Sequence, residues 1–236
     1  MENFLYFDYE ADSDNTFHLL GQRYLEKTSQ WSLNRALDSA AKCSNIRIGE
    51  PKDATEQLLE LALRDSAILV AYSTAEAKYL QVIFEGDISS SYKNLPYLNM
   101  ATAAKRWVNR NCAKEFQELP DYSPLQHRNQ PEYIRRQINN SLASRMRLTN
   151  FKPPRDYGIR RVMKRINYVL SALERHQDNF QNIPRAAKKK WTQVLKHNRF
   201  DVEAMEVLTG IIMKEDPQCL AGATKTIGEI WRRASS

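Results

Sequence analysis

The sequence predicts a mainly α protein, a helical bundle over residues ~97–236 preceded by a smaller N-terminal α+β region. Three observations carry that expectation. Glycine is scarce, 7 in 236 residues, which goes with helix rather than with turn-rich β architecture. Beyond Pro96 the apolar residues recur at spacings of three and four. The charge also reverses: residues 1–100 hold 9 Lys/Arg against 15 Asp/Glu, and the remainder holds 26 against 13. The reversal coincides with the Ser-rich, Pro-punctuated stretch GDISSSYKNLP at 86–96, so two domains are expected, an acidic one at 1–91 and a basic one at 97–236.

In chain order, NFLYFDY at 3–9 is aromatic-rich and predicts a strand whose Phe4, Tyr6, Phe7 and Tyr9 serve the core. Asp14 or Asn15 can cap a helix over about 15–29, with Phe17, Leu20, Tyr24 and Leu25 at helical spacing. Ser32 leads a second helix over about 32–43, and Pro51 opens a third over about 51–65. AILVAYS and YLQVIF then read as two strands around TAEA; one continuous buried helix is the alternative. In the rear part, helices are expected over about 97–118, 131–148, 158–176, 184–197 and 201–214, and from Pro217 onward. The break between the second and third of these is the Pro153-Pro154 pair.

The densest feature is 145–165, RMRLTNFKPPRDYGIRRVMKR, with eight Lys/Arg and one acid. At about 100° per residue, its helix turns Val162, Ile166, Val169 and Leu173 to one side and Arg160, Arg161, Lys164, Arg165 and Tyr168 to the other. Clustered cations neutralise phosphate, and an exposed ring stacks on a base. The nucleic-acid contacts expected are therefore Arg145, Arg147, Lys152, Arg155, Arg160, Arg161, Lys164 and Arg165, with Tyr168 stacking. Lys188 and Lys189 add to them from KKK. The function expected is a non-enzymatic, backbone-directed binder of RNA or DNA, joined with other protein subunits in a nucleoprotein assembly. The alternative is a scaffold subunit whose basic face meets an acidic partner, and the plainest reading is a solvated helix face.

Three dispersed cysteines (Cys43, Cys112, Cys219) and four dispersed histidines exclude a disulfide framework and a zinc finger. The acidic start MENFLYFDYE does not resemble a signal peptide, and no stretch approaches a membrane span, so a cytoplasmic protein with no membrane partner is expected. No glycine-rich phosphate loop and no G-x-S-x-G motif occurs. Neither a cofactor nor a metal is expected. Consecutive helices at 131–148 and 158–176, or at 184–197 and 202–214, leave a helix-turn-helix open. One enzymatic pattern remains. Asp65, a possible strand, and then Glu76-Ala77-Lys78 resemble the D…ExK arrangement of a large nuclease superfamily. That resemblance implies Mg²⁺ held by the two carboxylates and a lysine assisting the attacking water.

Overall fold

The computed structural model describes residues 3–119, 140–154, 157 and 161–234. Seven strands appear in it: β1 (Phe4–Ala11), β2 (Phe17–Tyr24), β3 (Lys27–Ser32), β4 (Arg47–Ile48), β5 (Ile68–Ala71), β6 (Pro96–Asn99) and β7 (Thr224–Thr226). They form one mixed sheet in the order β4-β3-β2-β1-β5-β6-β7. β1, β2 and β3 pair antiparallel, whereas β5 runs parallel to β1 and β6 parallel to β5.

The expectation of a helical bundle with a subordinate α+β region is therefore overturned, because the sheet is central to the molecule. β6 and β7 come from the stretch expected to be all helical, and they complete the sheet's far edge. They are 4 and 3 residues long, too short to leave a period in the sequence. The helix expected over about 15–29 is also absent: it is the hairpin of β2 and β3. Its two connecting residues, Leu25 and Glu26, both adopt left-handed backbone, with φ of 46° and 63°. Such a turn is ordinarily announced by Asn-Gly or Asp-Gly, and Leu-Glu carries no such signal.

The remaining elements are α1 (Asp38–Cys43), α2 (Pro51–Arg64), α3 (Ala75–Ile83), α4 (Ser90–Lys93), α5 (Met100–Asn111), α6 (Ala113–Glu118) and α7 (Leu142–Met146). They are followed by α8 (Val162–Arg175), α9 (Arg185–Glu215), α10 (Gln218–Ala221) and α11 (Ile227–Ala234). YLQVIF, read as a strand, lies in α3, where Ala77 and Leu80 are buried at helical spacing. The helices expected at 184–197 and 201–214 are one, α9, 31 residues long and so about 46 Å from end to end. That removes the second helix-turn-helix pairing. For the first, residues 131–139 and 158–160 lie outside the described residues, while α7 and α8 occupy the rest.

Alternation along β1 divides the interior. Leu5, Phe7 and Tyr9 join the core under α2, α3 and α11. Tyr6 belongs to the opposite core, with α5, α7 and the C-terminal half of α9. A third cluster sets Leu19 of β2 against α8 and the N-terminal half of α9. Among the described residues no helix is long and apolar enough to cross a membrane.

Candidate active site

Two acids on β1 begin the site. Side chains two apart on a strand share a face, so Asp8 and Glu10 follow Tyr6 toward α9, which packs across β1 and β2. The helix comes close because Gly21 is the cross-strand partner of Asp8. A Cβ on Gly21 would fall 2.4 Å from Asn198 Oδ1. Asn198 uses that room to donate from Nδ2 to Asp8 Oδ2 at 3.0 Å and to the Asp8 carbonyl oxygen at 3.2 Å. Its own Oδ1 accepts from Gln30 Nε2 at 2.9 Å, and Gln30 also donates to the Leu195 carbonyl oxygen at 3.0 Å. Strands β1 and β3 and helix α9 thus hold the Asp8 carboxylate in one orientation.

One turn of α9 supplies the next pair. His197 and Asp201 stand four residues apart, with Nε2 3.2 Å from Asp201 Oδ2. His197 Nδ1 lies 2.9 Å from the Tyr157 carbonyl oxygen. A carbonyl only accepts, so Nδ1 carries the proton and the Nε2 lone pair faces the carboxylates in the neutral ring. The Tyr157 ring stacks on the imidazole at 3.9 Å, and its hydroxyl donates to Asp201 Oδ1. The fourth acid, Glu76, is buried in the first turn of α3, just beyond the C-terminal end of β5. Ser73 Oγ donates to Glu76 Oε2 at 2.9 Å and accepts the Ala75 N–H at 3.0 Å.

Burial raises the pKa of all four carboxyls above the ordinary range, and repulsion from neighbouring acids adds to it at Asp8, Glu10 and Glu76. Glu10, Asp201 and Glu76 push Asp8 further up, against the Asn198 hydrogen bond. Asp201 and Glu76 do the same to Glu10, and Asp201 to Glu76. On Asp201 the neighbouring His197 and the Tyr157 hydroxyl oppose the burial. Glu10 Oε1 is buried and has no hydrogen-bond partner among the described residues. Ligand atoms of Glu10, His197 and Asp201 all lie within 4.8 Å of one another. Carboxylate oxygens with one imidazole suit a hard divalent cation, Mg²⁺ or Mn²⁺. The orphaned oxygen and the uncompensated repulsion are what such a cation relieves, so these residues fit one.

The residues expected from the basic stretch are placed differently from one another. Arg145 is buried on α7, its guanidinium 4.2 Å above the Phe116 ring and 2.8 Å from Asn140 Oδ1. Arg165, expected on the outer face of its helix, is also buried, and its Nη1 donates to the Tyr157 carbonyl oxygen at 3.1 Å. That is the same oxygen that receives His197 Nδ1. Lys152 Nζ donates to the Arg147 carbonyl oxygen at 2.6 Å. Arg161, Lys164 and Tyr168 are exposed on or beside α8, and Lys189 is exposed on α9. Lys188 donates to the Gln181 carbonyl oxygen and lies over the Phe180 ring. Arg155 and Arg160 lie outside the described residues.

The D…ExK trio does not assemble. Asp65 caps the end of α2, bonded to Arg64 Nε at 2.8 Å, at the opposite end of β5 from Glu76, and Lys78 is exposed. Glu76 alone of the three enters the acidic cluster. Sequence reasoning missed Asp8, Glu10, His197, Asn198 and Asp201. One signal for them was legible: two acids spaced by two inside an aromatic strand, FDYE, and a His/Asp pair one helical turn apart, HNRFD. Comparison with known proteins adds no assignment: no family model, no curated protein and no solved structure matches the chain.

Proposed function

We propose that the protein is a metal-dependent phosphodiesterase acting on nucleic acid. The observation that carries this reading is the convergence of Asp8, Glu10, Glu76 and Asp201, with His197 among them, under α9. Four acids forced together, Glu76 and Asp201 buried and Asp8 and Glu10 half-buried, destabilise the fold, and a role in holding cations accounts for them better than a structural one. A divalent cation held there supplies Lewis acidity to a phosphoryl oxygen and a lowered pKa to bound water, the chemistry of nucleases and phosphatases. The net charge of +7 favours a polyanionic substrate over a small phosphate ester.

The chain's own residues do the rest. Asn198 and Gln30 orient Asp8, and Ser73 orients Glu76. His197, held in one tautomer by the Tyr157 carbonyl, would join Glu10 and Asp201 in holding the cation through Nε2. The water oxygen bonds to phosphorus and its proton passes to solvent, the P–O bond to the leaving sugar breaks, and that oxygen takes a proton from solvent.

The test is hydrolysis of a 5′-labelled single-stranded oligonucleotide with Mg²⁺ or Mn²⁺. The wild type is expected to shorten it and Asp201→Asn to leave it whole. Intact substrate with the wild type and both metals would overturn the proposal. It would favour the non-enzymatic binding role instead, which rests on the exposed Arg161, Lys164 and Lys189.

A further inference from the structure

Two adjoining cavities, of about 360 and 530 Å³, open at the C-terminal ends of β5 and β6 and share Thr74, Asn99, Thr102 and Arg106 in their walls. Together they form a groove whose charge has one sign. Lys78, Lys105, Arg106, Arg145 and Lys225 line it, and among the described residues no Asp or Glu does. Arg106 lies so close over Gly222 that a Cβ there would meet its Nη1. The guanidinium therefore occupies space that any other residue at 222 would fill. Lys78, Lys105 and Arg106 form no ion pair among the described residues, and all three are exposed. The first turn of α5 borders the same groove, with Asn99 Oδ1 accepting the Thr102 N–H at 2.9 Å. The C-terminal edge of parallel strands is where open α/β sheets ordinarily bind ligands.

The groove also abuts the acidic centre. Ser73 lines it and donates to Glu76. Arg145, buried on α7, lines it too. We propose that this groove binds the sugar-phosphate backbone of the single strand whose scissile phosphate lies at the carboxylates, an inference that rests on the phosphodiesterase reading. A single strand fits better than a duplex because Glu76 and Asp201 are buried, and a lone backbone can leave a regular helical path to reach them. The contacts are to phosphate, so DNA and RNA strands are bound alike.

The experiment uses full-length protein carrying Asp201→Asn, and the anisotropy of fluorescein-labelled (dT)12 and (rU)12 across ~50–200 mM salt. Adding Lys78→Ala, Lys105→Ala and Arg106→Ala is expected to raise Kd about tenfold or more. The log–log salt slope should fall by about 2, at roughly 0.7 for each phosphate lost. The advantage of (dT)12 over (dT)2 should shrink with it. Because the three side chains are exposed, the thermal midpoint should stay in place; if the triple variant unfolds, Lys105→Ala alone is expected to raise Kd two- to threefold. Unchanged Kd and slope in a folded variant would overturn the groove. Wild-type hydrolysis of bis(4-nitrophenyl) phosphate with Mn²⁺ reports separately on the chemistry. Protein that binds through the groove yet hydrolyses neither this ester nor the oligonucleotide would retire the phosphodiesterase reading alone.

Discussion

Asp8, Glu10, Glu76 and Asp201 come from far-apart stretches of the chain and meet under one helix, whereas the cations of 145–165 are contiguous in sequence and part company in space. The first group is brought together by topology: β1 in the middle of the sheet, β5 parallel beside it, and α9 across both. Within the second, Arg145 and Arg165 turn inward while Arg161 and Lys164 turn outward. Density along the chain measures composition, and chemistry needs convergence. Basic residues near one another in sequence still choose between solvent and interior one by one, according to where each falls on its helix.

The largest expected effect sets the two regions against each other. Asp8→Asn should lower hydrolysis of the oligonucleotide by about 10²–10³-fold, a loss of the size seen when one preorganised polar group is removed. Lys164→Ala should change the rate less than about twofold, as exposed substitutions away from a site do. Equal losses would erase the distinction. Arg165 straddles the two regions, since it belongs to the basic stretch but serves the Tyr157 carbonyl beside His197. Arg165→Met should slow hydrolysis about 10–100-fold, as outer-shell losses do, and leave the salt slope of strand binding unchanged. A reduced slope with an intact rate would return this residue to phosphate contact.

A smaller effect concerns stability. Folding raises the carboxyl pKa values at the centre. The native state therefore holds more protons than the unfolded one. In metal-free protein this contribution is full below the unfolded carboxylate range, about pH 4. It is lost as pH rises through the higher native values. At neutral pH without metal, Glu10→Gln should raise the melting midpoint by about 2–4 °C, the shift of roughly 1 kcal/mol in a chain of this size. The gain should shrink in acid and reverse under saturating Mg²⁺; calorimetry across pH, with and without the ion, reads all three. Smallest is the hairpin change Leu25→Asn with Glu26→Gly, which relieves two left-handed residues. Glycine's greater unfolded-state freedom offsets much of that relief, so the change should add about 0.5 kcal/mol in urea unfolding without altering hydrolysis.

Parts of this molecule were legible from its letters. β1, α2 and α8 follow from period, caps and prolines, and the front aromatics are buried as expected apart from a partly covered Phe4. The hairpin was hidden because Leu25-Glu26 fills a turn that usually takes glycine, and β6 and β7 because strands of 4 and 3 residues have no period. Asp201 stands at the start of the helix expected over about 201–214, whereas its side chain is bound sideways by Tyr157 and His197 and the helix runs through. Glu76 was noticed for the wrong partner, Asp65, which lies at the other end of β5. What could not be read was which distant residues share a face, because that depends on strand order.

The position of Asp201 along α9 has a consequence for biosynthesis. A growing chain emerges with Asp8, Glu10 and Glu76 made well before His197, Asn198 and Asp201. Until α9 is synthesised and settles onto the strands, the early acids remain hydrated, and their mutual repulsion is met only when this later element docks.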